Sequence, residues 1–570
     1  MRKCGIIPES TAQSGHPSRE NTMRLKSLLL ATASFALITA AAEAQTLTGQ
    51  VSSAEEGNME GVLVTAKKDG ATIATTVVTN EKGQYSFPAR RLSAGKHTIT
   101  IRAAGYDLVG PNTAEVPTSG EAKADLKLAK ARNIVQKLSS GEWLNSIPGS
   151  DQQKGFMGQC VGCHSLQRVL TSSYSPQEFE QIFVRMSRYS PGSQPTHVQP
   201  LLPGPRGERP AVSGAAAKAA GEYLASVALG NPERAEYNFK LFPRPTGRST
   251  RVIVTEYDLP RKEAMPHDVI VDRDGQVWYS DFGSQFVGVM NPKTGAVKDI
   301  AIPVLKPEQP KGGLDIEFDP SGNVWLSMMY QAGISKIDRK THEVKAYGFP
   351  KEWQSPSTQA SMVSPQHSDV DGKVWTNNQE DHFTYRLDTK TGQFENMGQN
   401  KDLAGRQIRA YGMPTDVNNN VYQLQFGGAQ IGIRDAKTNQ VTIYNTPTQG
   451  SRPRRGRVDA ENRLWFAEYG SNAIGMFDPK TAAIKEWPLP TKWSAPYDVV
   501  PTKDSSEVWT GSMLNDFVAR LDVKSGQITE YLLPRTTNIR RVFVEETGPK
   551  PILWVGSNHG ASIVKVEPLD

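Results

Sequence analysis

Three stretches of the chain have nearly the same wording: VWYSDFGSQFVGVMNPKTGAVKDIAIP (Val277–Pro303), LWFAEYGSNAIGMFDPKTAAIKEWPLP (Leu464–Pro490) and VWTGSMLNDFVARLDVKSGQITEYLLP (Val508–Pro534). Each holds an aromatic anchor, short apolar runs and a K-T-G-like turn before an outer strand. The anchor recurs as Trp278, Trp325, Trp375, Tyr422, Trp465, Trp509 and Trp554, at intervals of 43 to 50 residues. A period in the forties with several short strands per unit predicts a β-propeller, and seven anchors predict seven blades. Six blades run on into an outer strand after the K-T-G-like turn, whereas the seventh stops at Pro568. VIVTEYDLP (Val252–Pro260) is close in wording to ITEYLLP (Ile528–Pro534). The N-terminal strand of the array is therefore expected to complete the last blade and remove an open sheet edge.

Outward from this array, residues 251–570, the chain divides further. The segment 46–130 carries short alternating β-branched runs such as GVLVTAKK, IATTVVT and KHTITIRAAGY, separated by turn signals, and reads as a small antiparallel sandwich. The segment 131–231 is helical. Phe179, Ile182, Phe183 and Met186 fall on one helical face, with Ser175 as N-cap and Pro176 at the first helical position. SGAAAKAAGEYLASVAL (Ser213–Leu229) is a second helix former. The expected fold class is mainly β: a seven-bladed propeller preceded by a sandwich and a small α-helical domain.

GFMGQCVGCHSL (Gly155–Leu166) holds two of the three cysteines. A disulfide between Cys160 and Cys163 would close a tiny loop and stabilise little. A structural zinc site needs a second ligand pair, and a thioredoxin-like motif leaves His164 unexplained. C-x-x-C-H is the attachment signature of a covalent c-type haem, with both thiols bonded to the porphyrin and His164 on the iron. The sixth iron ligand is open between His197, the good ligand of the proline-rich loop, and Met186 on the apolar helical face.

The amino terminus agrees with such a cofactor. Met23–Lys26 is a basic n-region, Leu28–Ala42 an apolar stretch too short to span a bilayer as a helix, and Ala42-Glu43-Ala44 a cleavage site. Residues 1–22, which include Cys4, read as a leader outside the working protein, and 23–44 as a signal peptide. Export to a bacterial periplasm follows, with no integral membrane segment in the mature chain. A formal charge of +6 over 570 residues, with no basic run interleaved with aromatics, argues against a nucleic-acid partner.

Three resemblances to known families add to this. The wording G-x-V…G-V-x-V…T-x-x-x-G-x-Y-x-F…G-x-H-x-I…A-x-G-Y resembles the carboxypeptidase regulatory-like domain, which implies a fold and a placement role without catalytic residues. The helical segment resembles a compact cytochrome c domain. The propeller wording P-x-x-[IV]…G-x-[VL]-W…I-x-E-[YF]-x-[LI]-P resembles virginiamycin B (streptogramin) lyase. That family opens a cyclic ester by elimination, with a histidine base and a divalent metal such as magnesium held by carboxylates. Carried over by position, the resemblance implies His267 in MPHDV as the histidine, with Glu468 in WFAE and Asp281 in WYSD as acids.

Aligned on the anchors, the positions matching His267 are Leu314, Ser364, Tyr411, Arg454, Tyr497 and Arg541. Tyr497 stands where a second histidine would be. The ring of inner-strand starts reads either as an anion or aromatic ligand site built from Tyr411, Arg454, Tyr497 and Arg541, joined by His559, or as the polar lining of a channel. The expected function is an exported c-type cytochrome fused to a ligand- or substrate-binding propeller, an electron-transfer protein or oxidoreductase with a redox partner protein or a small-molecule substrate. The alternatives are a virginiamycin B lyase-like carbon–oxygen lyase and a non-enzymatic redox-linked binding or scaffold protein.

Overall fold

The computed structural model describes residues 45–202, 212–230 and 238–570; the expected leader (1–22) and signal peptide (23–44) lie outside them. Within the described residues no helix is long and apolar enough to cross a membrane.

The array folds into seven antiparallel sheets. Six blades have four strands, as in Pro266–Val271, Val277–Asp281, Phe286–Met290 and Val297–Ala301 of blade one. Blade four has three, with Thr415 bridging to Val421 on the inner side. The anchors explain the repeat. Each is buried to within 1% of full burial, and a buried indole N–H needs an acceptor. Trp278 donates to Asp272 at 2.9 Å, Trp325 to Asp319 at 3.0 Å and Trp465 to Asp459 at 2.8 Å. The other oxygen of Asp272 accepts the backbone N–H groups of Asp274 and Gln276. One carboxylate therefore closes the turn and fixes the tryptophan that follows it.

The ring closes as the wording predicted. Val252–Asp258 pairs antiparallel with Ser562–Pro568, from Val252 opposite Pro568 to Asp258 opposite Ser562. Its other edge pairs with Ile73–Val78 of the sandwich. Blade seven and one sandwich sheet thus form one continuous eight-stranded sheet. Arg102 of the sandwich adds bonds to the Leu533 carbonyl at 2.8 Å and to Asp516 at 2.5 Å.

The helical segment lies against the propeller mouth. Its helix Pro176–Ser187 begins with a capping box between Ser175 and Glu178. Phe179 is buried and Ile182 and Phe183 join the core, but Met186 is 40% exposed. Gly221 of helix Gly214–Val227 crosses it so closely that a Cβ there would lie 2.6 Å from the Pro176 carbonyl. The cysteine motif is not on an α-helix: Gly155–Gly162 is a 3₁₀ helix, with Cys163 and His164 beyond its end. Three glycines in those eight residues lower the α-helical propensity enough to favour the tighter turn. A single apolar cluster runs from Trp143, Met157 and Val161 into Met265, Phe282 and Tyr497 of the propeller.

Candidate functional site at the propeller mouth

Strand pairing fixes which residues share a level. In blades one, five and six the anchors Trp278, Trp465 and Trp509 pair with Ile270, Arg457 and Val500, three residues after His267, Arg454 and Tyr497. In blade seven Trp554 pairs with Phe543, so Arg540 stands at that level; in blade three Trp375 pairs with Ser364, so Ser361 does. The inner hairpins of these two blades are longer than in blades one and five, and the alignment on the anchors therefore slips there. The ring consists of His267, Leu314, Ser361, Tyr411, Arg454, Tyr497 and Arg540, each no more than 8% exposed.

Three ring members form a chain of hydrogen bonds. Asp268 meets His267 Nδ1 at 2.6 Å, His267 Nε2 lies 3.2 Å from the Tyr497 hydroxyl, and that hydroxyl bonds Tyr411. Burial drives the His267 pKa down to about 4, against the opposing pull of Asp268. The imidazole is therefore neutral at pH 7. With its Nδ1–H donating to Asp268, its Nε2 accepts a hydrogen bond from the Tyr497 hydroxyl.

One residue further along each strand lies a different layer. Arg455 holds Asp268 through two bonds of 3.0 and 2.9 Å and reaches Asp315 at 2.5 Å. Arg541 meets Glu317 at 2.9 Å, and Arg457 meets it at 2.6 Å. Burial raises the Asp315 pKa to about 7, and Glu317 and Asp268 add to the rise. This network plugs the axis, leaving a cavity of about 10 Å³ beside Asp315, Glu317 and Arg455, the lower limit for one water. Arg541, expected to face a ligand, belongs to this plug; Arg540 faces the mouth.

The two acids carried over from the lyase pattern have other tasks. Asp281 pairs with Arg261 at 2.7 Å and accepts backbone N–H groups from Met265, Gly283 and Ser284. Glu468 accepts from the Ser471 hydroxyl at 2.5 Å, and burial pushes its pKa up to about 8. Among the described residues no group of three or more His, Cys, Asp and Glu side chains is arranged to hold a metal ion. The donors among the described residues do not converge on a divalent cation.

Above the ring lies the cysteine motif. Arg540 donates to the Gly162 carbonyl at 2.9 Å, His559 Nε2 lies 3.4 Å from the same oxygen, Asn538 donates to Val161 at 3.2 Å and Tyr469 to Gly158 at 3.3 Å. Burial drives the His559 pKa down to about 3, with Arg540 next in effect. Cys160 and Cys163 are free thiols, and burial pushes Cys160 up to about 11, with a smaller push from Cys163. His164 Nδ1 lies 3.0 Å from the Ser165 carbonyl. His197 is half-buried and pairs through its backbone with Gln194, whose side chain reaches the Glu263 carbonyl at 3.0 Å. The structure thus brings His267, Tyr411, Arg454, Tyr497 and the cysteine motif to one mouth. It leaves Asp281 at the end of its strand, held by Arg261 and by the backbone of the turn that follows, and Met186 outside the apolar core.

The sequence profile of the virginiamycin B lyase family matches residues 302–569, and that of the carboxypeptidase regulatory-like domain matches residues 46–129. The propeller is lyase-like in fold. Neither match covers the helical segment. Among solved structures, selenomethionine-substituted virginiamycin B lyase from Staphylococcus aureus is 18% identical, with 55% of this chain and 99% of that chain covered and a TM-score of 0.47. A streptogramin B lyase is 18% identical over 57% of this chain and 100% of that chain, with a TM-score of 0.48. No curated protein matches the chain.

Proposed function

We propose that the chain is an exported redox protein in which a c-type haem, bonded to Cys160 and Cys163 and ligated by His164, faces the ring of the propeller mouth. The observation that carries this is the pinning of the motif over the ring, with Arg540 and His559 both on the Gly162 carbonyl. The residues fit the group. Both thiols are free. A Nδ1–H bond from His164 to the Ser165 carbonyl fixes the tautomer whose Nε2 can ligate iron. When bound, the haem would supply one-electron chemistry. The chain's own part is to exclude water at the mouth and to hold a proton between Tyr497 and His267 Nε2. The signal-peptide wording of residues 23–44 supports export to a periplasm, and the partner is a redox protein or a small molecule. Protein matured in a haem-attaching host should keep its haem through acid extraction, and Cys160→Ser or Cys163→Ser should weaken that retention. Haem released completely by acid from the unmodified protein would defeat this reading.

The second reading is a carbon–oxygen lyase. The family match at 302–569 favours it over the redox reading, as far as the propeller itself is concerned. It predicts opening of a cyclic ester that is lost in His267→Ala and in Glu468→Ala. Activity that survives both substitutions would remove it.

A further inference from the structure

Charge is balanced in the plug and unbalanced at the mouth. Arg455, Arg457 and Arg541 each meet carboxylates. Among the described residues, the inter-blade arginines one level above them, Arg454 and Arg540, have no carboxylate within ion-pair distance, and neither does Arg452 beside them. Arg454 is 8% exposed. Its guanidinium lies 3.7 Å from the centre of the Tyr497 ring, 4.5 Å from Phe426 and 4.6 Å from Tyr469. Its Nε has no hydrogen-bond partner among the described residues, and Nη1 reaches only the Met513 sulfur at 3.7 Å, a weak acceptor. Arg452 lies over two of the same rings, 4.3 Å from Phe426 and 5.3 Å from Tyr469. Burial, and further down the like charge of Arg454, hold its pKa below the ordinary arginine value. It is held at φ 52°, in the left-handed region that non-glycine residues rarely adopt.

Aromatic faces offset part of the cost of burying a cation, but they leave the in-plane N–H donors unused. A planar guanidinium with an unpartnered Nε–H matches a carboxylate, and the flat ring walls match a planar apolar body. We propose that Arg454, flanked by Arg452 and Arg540, binds a carboxylate of a planar, largely apolar ligand at the propeller mouth, beside the Cys160–His164 turn. The carboxylate has two sources: a propionate of a haem attached at Cys160 and Cys163, which rests on the redox reading, or a separate aromatic acid, which does not.

Two titrations of the full-length protein separate them. In the first, the Cys160→Ser/Cys163→Ser variant is titrated with haemin and with haemin dimethyl ester, followed by Soret absorbance. In the second, the unmodified protein is titrated calorimetrically with 2-naphthoate and its methyl ester. The free acid should bind at least tenfold more tightly than the ester in one arm or both. Arg454→Gln should abolish that ratio, and Arg454→Lys should retain part of it. Preference in the haemin arm assigns a propionate, and preference in the naphthoate arm assigns a separate acid. Equal affinity of acid and ester in both arms overturns the proposal, whether or not the arginine variants fold. Loss of the redox reading through acid-extractable haem leaves the naphthoate arm to decide the arginine site alone.

Discussion

Glu468→Gln is a sharp test of the electrostatics at the mouth. Glu468 is fully buried, its Oε1 has no hydrogen-bond partner among the described residues, and its carboxyl is raised from 4.5 to about 8, chiefly by burial. In the folded protein the group is neutral at pH 7, whereas in the unfolded chain it is ionised. A raised folded pKa contributes stability that is fully present below the unfolded value and is lost as pH rises through the folded one. One pKa unit corresponds to about 1.4 kcal/mol, so the fold carries a penalty of about 3 kcal/mol at pH 7, levelling off near 5 kcal/mol above pH 8. Glutamine has the same shape and no proton to lose. The variant and the parent should therefore have similar unfolding midpoints near pH 4.5, and the variant should gain steadily up to pH 8. Thermal unfolding followed by circular dichroism across pH 4.5 to 9 measures the gap. A gap that is independent of pH, or one that closes as pH rises, refutes the reasoning.

Arg455→Leu removes the closer of the two arginines shared by the buried Asp268 and Asp315, leaving only the longer contacts to Arg541; a loss of about 3–5 kcal/mol is expected. Denaturant unfolding should show that loss shrinking at low pH, where the carboxylates are protonated. Gly192→Ala would place a Cβ 2.3 Å from the Phe282 carbonyl, an overpacking strain of about 1–3 kcal/mol. Faster hydrogen exchange over Gly155–Gly162, with the blades unchanged, is the expected result.

The architecture was legible because every blade repeats a buried aromatic anchor, and blades one, two and five repeat the local device around it. The aspartate, the turn and the tryptophan occur together in sequence, so counting anchors counts blades, and the spare strand Val252–Asp258 identified its own partner. The level of the mouth residues was legible where hairpin length was constant or, as at Tyr497, differed by a single residue. Tyr411 and Arg454 stand the same distance from their anchors as His267 does, but longer hairpins in blades three and seven moved Ser361 and Arg540 into the ring and Ser364 and Arg541 out of it. Asp268 and Asp315 gave no signal, because an acid beside a strand start reads as ordinary polarity until Arg455 is known to face it. Nor does local periodicity tell where a helical segment docks. The bonds from Arg540 and His559 to Gly162 join residues far apart in the chain. The 3₁₀ turn at the cysteines was overlooked because the motif was read as helical despite its three glycines.

The strand shared by blade seven and the sandwich also sets an order of events. Val252–Asp258 is synthesised before any blade is complete, yet its blade-side partner Ser562–Pro568 is made only after the six other blades. Until then one of its edges is already taken by Ile73–Val78, and the strand waits as a half-paired template. Closure of so long a loop is slow compared with formation of the local hairpins. The sandwich therefore acts as a built-in placeholder, which halves the exposed backbone of the waiting strand during the interval when pairing with another copy would compete. A chain without residues 46–130 should still encode all seven blades, but it would wait for its last one with both edges of that strand bare.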